Sequence, residues 1–152
     1  HKHIDLQMHS DNKDDWLNLL LAEMIEPQLG SEQPVFIYDY PASQSALAKT
    51  AIDEAGALIA QRFELYVGGL ELANGYFELT DTEELETRFR YDQAQRLAME
   101  REPVASDIYL LEAMTEGLPS WAGVALGVDR LIMLALDKST ISDVIAFPSD
   151  RA

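Results

Sequence analysis

The 152-residue sequence contains no cysteine, which removes a disulfide framework, a thiolate zinc site and a cysteine nucleophile together. That usage fits a reducing compartment. Histidine is almost as scarce. The three present are His1, His3 and His9, so a Ser-His-Asp triad in the body of the chain is excluded. Their near-alternation has the look of a metal site, but a solvated terminus is the simpler reading. Basic residues are few, 11 against 27 acidic ones, for a net charge of −16 at pH 7. A chain this acidic repels phosphate backbones, which argues against nucleic acid as its partner. Long apolar runs are also lacking. Asp129 and Arg130 interrupt the longest candidate short of the roughly 18–20 residues a bilayer span needs. With no signal peptide either, the expectation is a cytoplasmic protein with no membrane partner. The first residue is not methionine, so the natural protein is expected to start further upstream.

What remains is ordinary for a globular chain, with 47% hydrophobic and 25% charged residues. The length suits one domain or a large part of one. Residues 1–9 alternate weakly and read as a short strand or lead-in. Asp11 to Asp15 offer helix starts, and Trp16, Leu17, Leu19 to Leu21, Met24 and Ile25 form an apolar helical face ended by Pro27 and Gly30. Val35 to Tyr40 reads as a strand. Residues 43–61 are alanine-rich and read as a helix after a loop at Ser43 to Ser45. Phe63–Val67 and Leu70–Tyr76 flank Gly68-Gly69, the composition of a two-residue hairpin turn. A charged helix is predicted from Asp81 to about Glu100, and a second, capped by Ser106 and Asp107, through Glu116. Val124–Val128 reads as a buried strand, Asp129–Leu136 as an apolar helix, and Ser139–Ile145 as a last short helix. Strands and helices without a βαβ rhythm predict an α+β fold with an antiparallel sheet.

Two segments carry candidate chemistry. Pairing about the glycine turn puts Glu64, Tyr66 and Glu71 on one face of the hairpin. Two carboxylates there repel unless a cation lies between them, and magnesium takes carboxylates, water and substrate phosphates; a solvent-facing strand side is the plain alternative. Asn74 and Glu78 have the opposite parity, but a bulge at Ala73 or Gly75 would bring them to the same pocket. Glu78 can equally be read as an acid leading into the next helix. In the second segment, Gly123-Val124-Ala125-Leu126-Gly127-Val128-Asp129-Arg130 runs from a strand into a helix. Its glycines leave room against the backbone, and Arg130 in the first helical turn is placed to meet a phosphate or to stack on a base. An Arg130 pair with an acid is the alternative. The lysine of a phosphate loop is absent.

The run from Arg62 to Asp81, Arg-Phe-Glu-Leu-Tyr-Val-Gly-Gly-Leu-Glu-Leu-Ala-Asn-Gly-Tyr-Phe-Glu-Leu-Thr-Asp, resembles the late active-site hairpin of class II lysyl-tRNA synthetases. Gly123 to Arg130 resembles their motif 3, and Pro34 to Ala42 and Val144 to Pro148 also match. Ala125 stands where the synthetases usually have glycine, and Leu70-Glu71-Leu72-Ala73 where they have arginine, glutamate, isoleucine and glycine. Both departures are similar to the short paralogues that attach (R)-β-lysine to elongation factor P. The resemblance implies ATP-dependent formation of a β-lysyl adenylate and transfer to a lysine of elongation factor P. It implies that Glu64 and Glu71 hold magnesium on ATP, that Leu72 and Gly127 line the nucleotide site with Glu71, and that Arg130 is the catalytic contact to the terminal phosphate and adenine. Asn74, Glu78 and Ala125 would serve the substrate, Glu78 by binding its side-chain ammonium. Motif 1, the dimer-forming element, and motif 2 have no counterpart. The whole chain, residues 1–152, is therefore expected to be the C-terminal portion of a class II catalytic domain, inactive when isolated. The complete protein is expected to be a homodimer with no tRNA partner. A lysyl-tRNA synthetase fragment and a catalytically dead interaction module are the alternatives.

Overall fold

The computed structural model describes residues 10–148, so the expectations for residues 1–9 lie outside it. Among the described residues the elements are α1 (Lys13–Leu20), β1 (Val35–Pro41), β2 (Thr50–Ile52), β3 (Leu58–Val67), β4 (Leu70–Phe77), α2 (Thr82–Ala98), α3 (Ile108–Thr115), β5 (Ala122–Leu126) and α4 (Val128–Ala135). The strands form one five-stranded sheet in the order β1-β3-β4-β5, with β2 also pairing antiparallel to β3. The expected α+β architecture is what the chain adopts. No helix among the described residues is long and apolar enough to cross a membrane.

The chain divides into two compact units. The first takes the described residues up to Tyr38, Phe63–Asn74, and those from Ala125 onward. Asn12 caps α1 by accepting from the Asp14 amide at 3.0 Å. The helix does not run straight to Pro27 as the apolar periodicity predicts. It loosens into a single π turn, Leu21–Ile25, then tightens into a 3₁₀ turn, Glu26–Gln28. Pro27 sits at the start of that last turn, where its missing N–H is harmless. The segment then locks onto the hairpin, with the Gly68 amide donating to Gly30 O at 2.8 Å and the Gly69 amide to Leu29 O at 2.7 Å. Gly68 and Gly69 have φ of 60° and 77°, the paired left-handed geometry of the tight hairpin turn that their composition predicts. Gly30 is equally constrained, since a Cβ there would lie 2.5 Å from the Tyr66 carbonyl oxygen. Tyr66, Leu72, Ala73 and Met133 are the buried hydrophobic residues of this unit.

The second unit takes Asp39–Arg62 and Gly75–Val124. Its core is Leu79, Leu85 and Met114, with Phe89 and Leu111 packed against them. Asp81, the predicted start of the charged helix, lies just outside α2 as its cap, accepting from the Glu84 amide at 2.9 Å. Asp107 caps α3 through the Leu110 amide at 3.0 Å, as the sequence predicts for that second helix. The predicted helix over residues 43–61 is replaced by a 3₁₀ turn and the β2–β3 hairpin. The Asp53 side chain accepts from the Ala55 and Ala57 amides at 2.9 and 2.8 Å, and Gly56 takes φ of 85°. This Asx turn and the ladder pairing Thr50 with Ala60 override the alanine propensity. A second expectation is also corrected. The strand predicted as buried over Val124–Val128 ends the sheet order, and Val124, Leu126 and Val128 are 63, 48 and 58% exposed. Apolar composition alone cannot distinguish a central strand from an edge strand whose flanks are open.

Candidate functional site

In the first unit, α4 is pinned to β4 through its N-cap residue, Gly127. The Gly127 amide donates to Leu72 O at 2.9 Å, which fixes where the helix begins. Arg130 sits in the first turn and reaches Glu71. Its Nη1 donates to the Glu71 carbonyl oxygen at 2.5 Å and lies 3.6 Å from Glu71 Oε2. The other carboxylate oxygen, Oε1, accepts from Asn74 Nδ2 at 3.0 Å. An ion pair this exposed contributes at most about 1 kcal/mol to stability, so its consequence is geometric. Arg130 is held ready with most of its donors unspent.

The Asn74–Glu71 bond brings these two side chains together despite their opposite parity, and it says nothing of Glu78. In a regular strand, residues three apart face opposite sides and lie about 10 Å apart. Here the two side chains meet within a continuous β4, and Leu72 and Ala73 between them are both buried. Glu64 keeps the regular pattern, since its Oε2 accepts from the Tyr66 hydroxyl at 2.6 Å, two residues along the same face.

Carboxylates of this kind suit a hard cation. Among the described residues no three or more histidine, aspartate or glutamate side chains gather as a metal cage. Magnesium needs none, because it is held by one or two carboxylates with water and substrate phosphates, and the all-oxygen donors of Glu64 and Glu71 fit that habit. Leu72 is buried and contributes its carbonyl oxygen to Gly127, while Ala125 is exposed on β5. At Gly127 a Cβ would make only ordinary contacts, at 3.5 Å from Leu72 O and Arg130 Cδ. The polypeptide itself therefore does not demand glycine there.

In the second unit, the Glu78 amide donates to Trp121 O at 3.0 Å, and Ala48 forms an isolated bridge with Glu78. The Glu78 carboxylate lies over Gly123 so closely that a Cβ on that glycine would be 2.5 Å from Oε1. The space the sequence reserves at Gly123 is thus taken by Glu78. Burial pushes the Glu78 carboxyl above its ordinary value. Its seat is Trp121 and Gly123, and it is not merely an acid leading into α2.

Sequence reasoning singled out Glu64, Glu71, Asn74, Glu78, Gly127 and Arg130 individually. It missed the Gly123–Glu78 contact and the arrangement around the Tyr66 hydroxyl. Strand parity placed Tyr66 beside Glu64, but nothing in the sequence marked Glu26, whose Oε1 lies 3.1 Å from the same hydroxyl.

The family of class II tRNA synthetases (D, K and N) matches residues 6–151. Among curated relatives, the elongation factor P–(R)-β-lysine ligase of Proteus mirabilis is 51% identical over 142 residues, covering 93% of this chain and 43% of that protein. The protein of the same name from Sodalis glossinidius is 48% identical over 142 residues, with 93% and 43% covered. That of Edwardsiella ictaluri is 47% identical over 154 residues, with 98% and 46% covered. The chain spans less than half the length of these relatives.

Proposed function

This chain belongs to the class II tRNA synthetase family (D, K and N), and on that premise we propose that it carries part of the catalytic domain of an ATP-dependent ligase. The ligase activates (R)-β-lysine as its adenylate and passes the β-lysyl group to a lysine of elongation factor P. The observation that carries the reading is the Arg130–Glu71–Asn74 cluster, a cation, an anion and an amide fixed at the junction of β4 and α4. Relatives of the ligase name support this substrate over a synthetase's.

In the first step a carboxylate oxygen of the amino acid forms a bond to the α-phosphorus of ATP while the bond to the pyrophosphate oxygen breaks. In the second, the neutral amine of the acceptor lysine attacks the acyl carbon, AMP leaves, and the amine proton passes to solvent. Such chemistry needs positioning and charge neutralisation more than a protein base, which suits a chain with no histidine after residue 9. Arg130 meets the terminal phosphate and the adenine, and Glu71 with Asn74 orients it. Leu72 and Gly127 line the nucleotide. Glu64 and Glu71 would hold magnesium, which when bound neutralises phosphate charge. Glu78 pairs with the side-chain ammonium of the substrate, and Ala125 lies against the substrate backbone. The complete protein is read as a cytoplasmic homodimer that does not charge tRNA.

The test uses the full-length protein. Pyrophosphate exchange should depend on (R)-β-lysine, and labelled β-lysine should appear on elongation factor P. Exchange that prefers α-lysine, with label on tRNA, would replace the ligase by a lysyl-tRNA synthetase. No exchange with either amino acid would leave an interaction module.

A further inference from the structure

Tyr66 is the largest fully buried side chain among the described residues, at 1% exposure. A buried phenol needs a partner for its hydroxyl, and this one meets two carboxylates. Its oxygen lies 2.6 Å from Glu64 Oε2 and 3.1 Å from Glu26 Oε1. A phenol has one proton to give, so the two contacts cannot both be donated by it. The shorter is within the ordinary O–H···O range and the longer lies just outside it, which assigns the proton to Glu64.

Both ends of this arrangement are rigid. Glu26 opens the 3₁₀ turn directly after the π turn, and that segment is bonded to the hairpin through Leu29 and Gly30. A Cβ on Gly69 would lie 3.3 Å from Pro27 O and 3.5 Å from Glu26 O, so the turn and the Glu26 backbone are in close register. Glu64 lies within β3, whose strand pairing fixes its backbone.

Resting on the reading that Glu64 holds the divalent cation, we propose that Tyr66 is a positioning residue that holds the Glu64 carboxylate for that cation, its single proton going to Glu64 while Glu26 lies at the longer distance without accepting it. The hydroxyl donates to Oε2 and so helps to fix the direction in which the Glu64 carboxylate faces. Groups that orient metal-ligating carboxylates typically change cation affinity about 10–100-fold when removed.

The experiment measures Mn²⁺ binding by electron paramagnetic resonance, with ATP present, to full-length wild type, Tyr66→Phe, Glu64→Gln and Glu26→Gln. Thermal unfolding and the KM for the amino acid are followed in parallel. Tyr66→Phe should keep the fold and the amino-acid KM while binding Mn²⁺ about 10–100-fold more weakly. Glu64→Gln should lose at least as much. Mn²⁺ affinity within twofold of wild type in Tyr66→Phe, with Glu64→Gln impaired, would overturn the positioning role and leave the metal reading standing. Unchanged binding in Glu64→Gln would overturn the metal reading and this inference with it. Glu26→Gln spares ring and hydroxyl and leaves the proton to Glu64, so it should bind Mn²⁺ as well as wild type or better. A tenfold loss there would make Glu26 itself a ligand and overturn the inference, and this variant decides the matter if Tyr66→Phe does not fold.

Discussion

The β4–α4 junction and the Glu78–Gly123 corner handle charge in opposite ways. At the junction, charges are paired in advance and left open to water: Arg130 to Glu71, and Glu71 to Asn74. At the corner a single carboxylate is seated against a glycine and partly desolvated, and its pKa is raised. A polyanion such as ATP is best met by donors already aimed and balanced, because they need no reorganisation when the phosphates arrive. An ammonium is best selected by an anion that water serves poorly, since the substrate then supplies what the carboxylate lacks. The two regions therefore predict different responses to mutation.

The largest effect is expected at the corner. Glu78→Gln keeps the size and removes the anion, leaving a substrate ammonium without its partner, at a cost of about 2–5 kcal/mol in amino-acid kcat/KM. Stability should move the other way. Because the folded pKa of Glu78 is raised, its stabilising contribution is present below the unfolded value and is lost as pH rises through the folded one. Thermal unfolding of Glu78→Gln should then match wild type in acid and equal or exceed it at neutral pH. The same sign governs binding: the wild-type KM for the amino acid should rise as pH falls through the raised pKa, while that for ATP stays flat.

Arg130→Ala tests the junction. Removing one preorganised charge-stabilising donor should lower kcat by roughly 10²–10³, with amino-acid KM unchanged in pyrophosphate exchange. If it instead raises only the amino-acid KM, the separation of roles fails.

Smaller effects sharpen the boundary. Gly123→Ala places a methyl where the Glu78 carboxylate lies, and the flexible end of that side chain must shift. The fold should survive, and discrimination for the cationic substrate should fall by about 1–3 kcal/mol, measured as kcat/KM against an uncharged isostere. Ala125→Gly should alter the ratio of α- to β-lysine activation by a similar or smaller amount without abolishing either, because it removes one methyl. Equal changes for both isomers would make position 125 a matter of stability.

Much of this contrast is legible in the sequence itself. The Gly68-Gly69 turn, the start of α2 at Asp81, the cap Asp107 and the alternation of Glu64 with Tyr66 are local, and local rules recover them. What escaped is what depends on non-local partners. Residues 43–61 have helical composition but pair as strands because Asp53 and Gly56 turn the chain onto β3. The apolar run in β5 reads as buried and lies at the end of the sheet. Gly123 advertised empty space, yet only the fold shows that Glu78, forty-five positions earlier, fills it. Glu26 had no periodic or spacing signal at all, since its meeting with Tyr66 is made by a π turn and a 3₁₀ turn that composition does not announce.

The measurement that bears most directly on the division of labour is pyrophosphate exchange by full-length Glu78→Gln, titrated separately in (R)-β-lysine and in ATP. The account predicts a large rise in the KM for (R)-β-lysine with the KM for ATP within twofold of wild type. A KM for ATP that rises in parallel, or a KM for (R)-β-lysine that does not move, would contradict it.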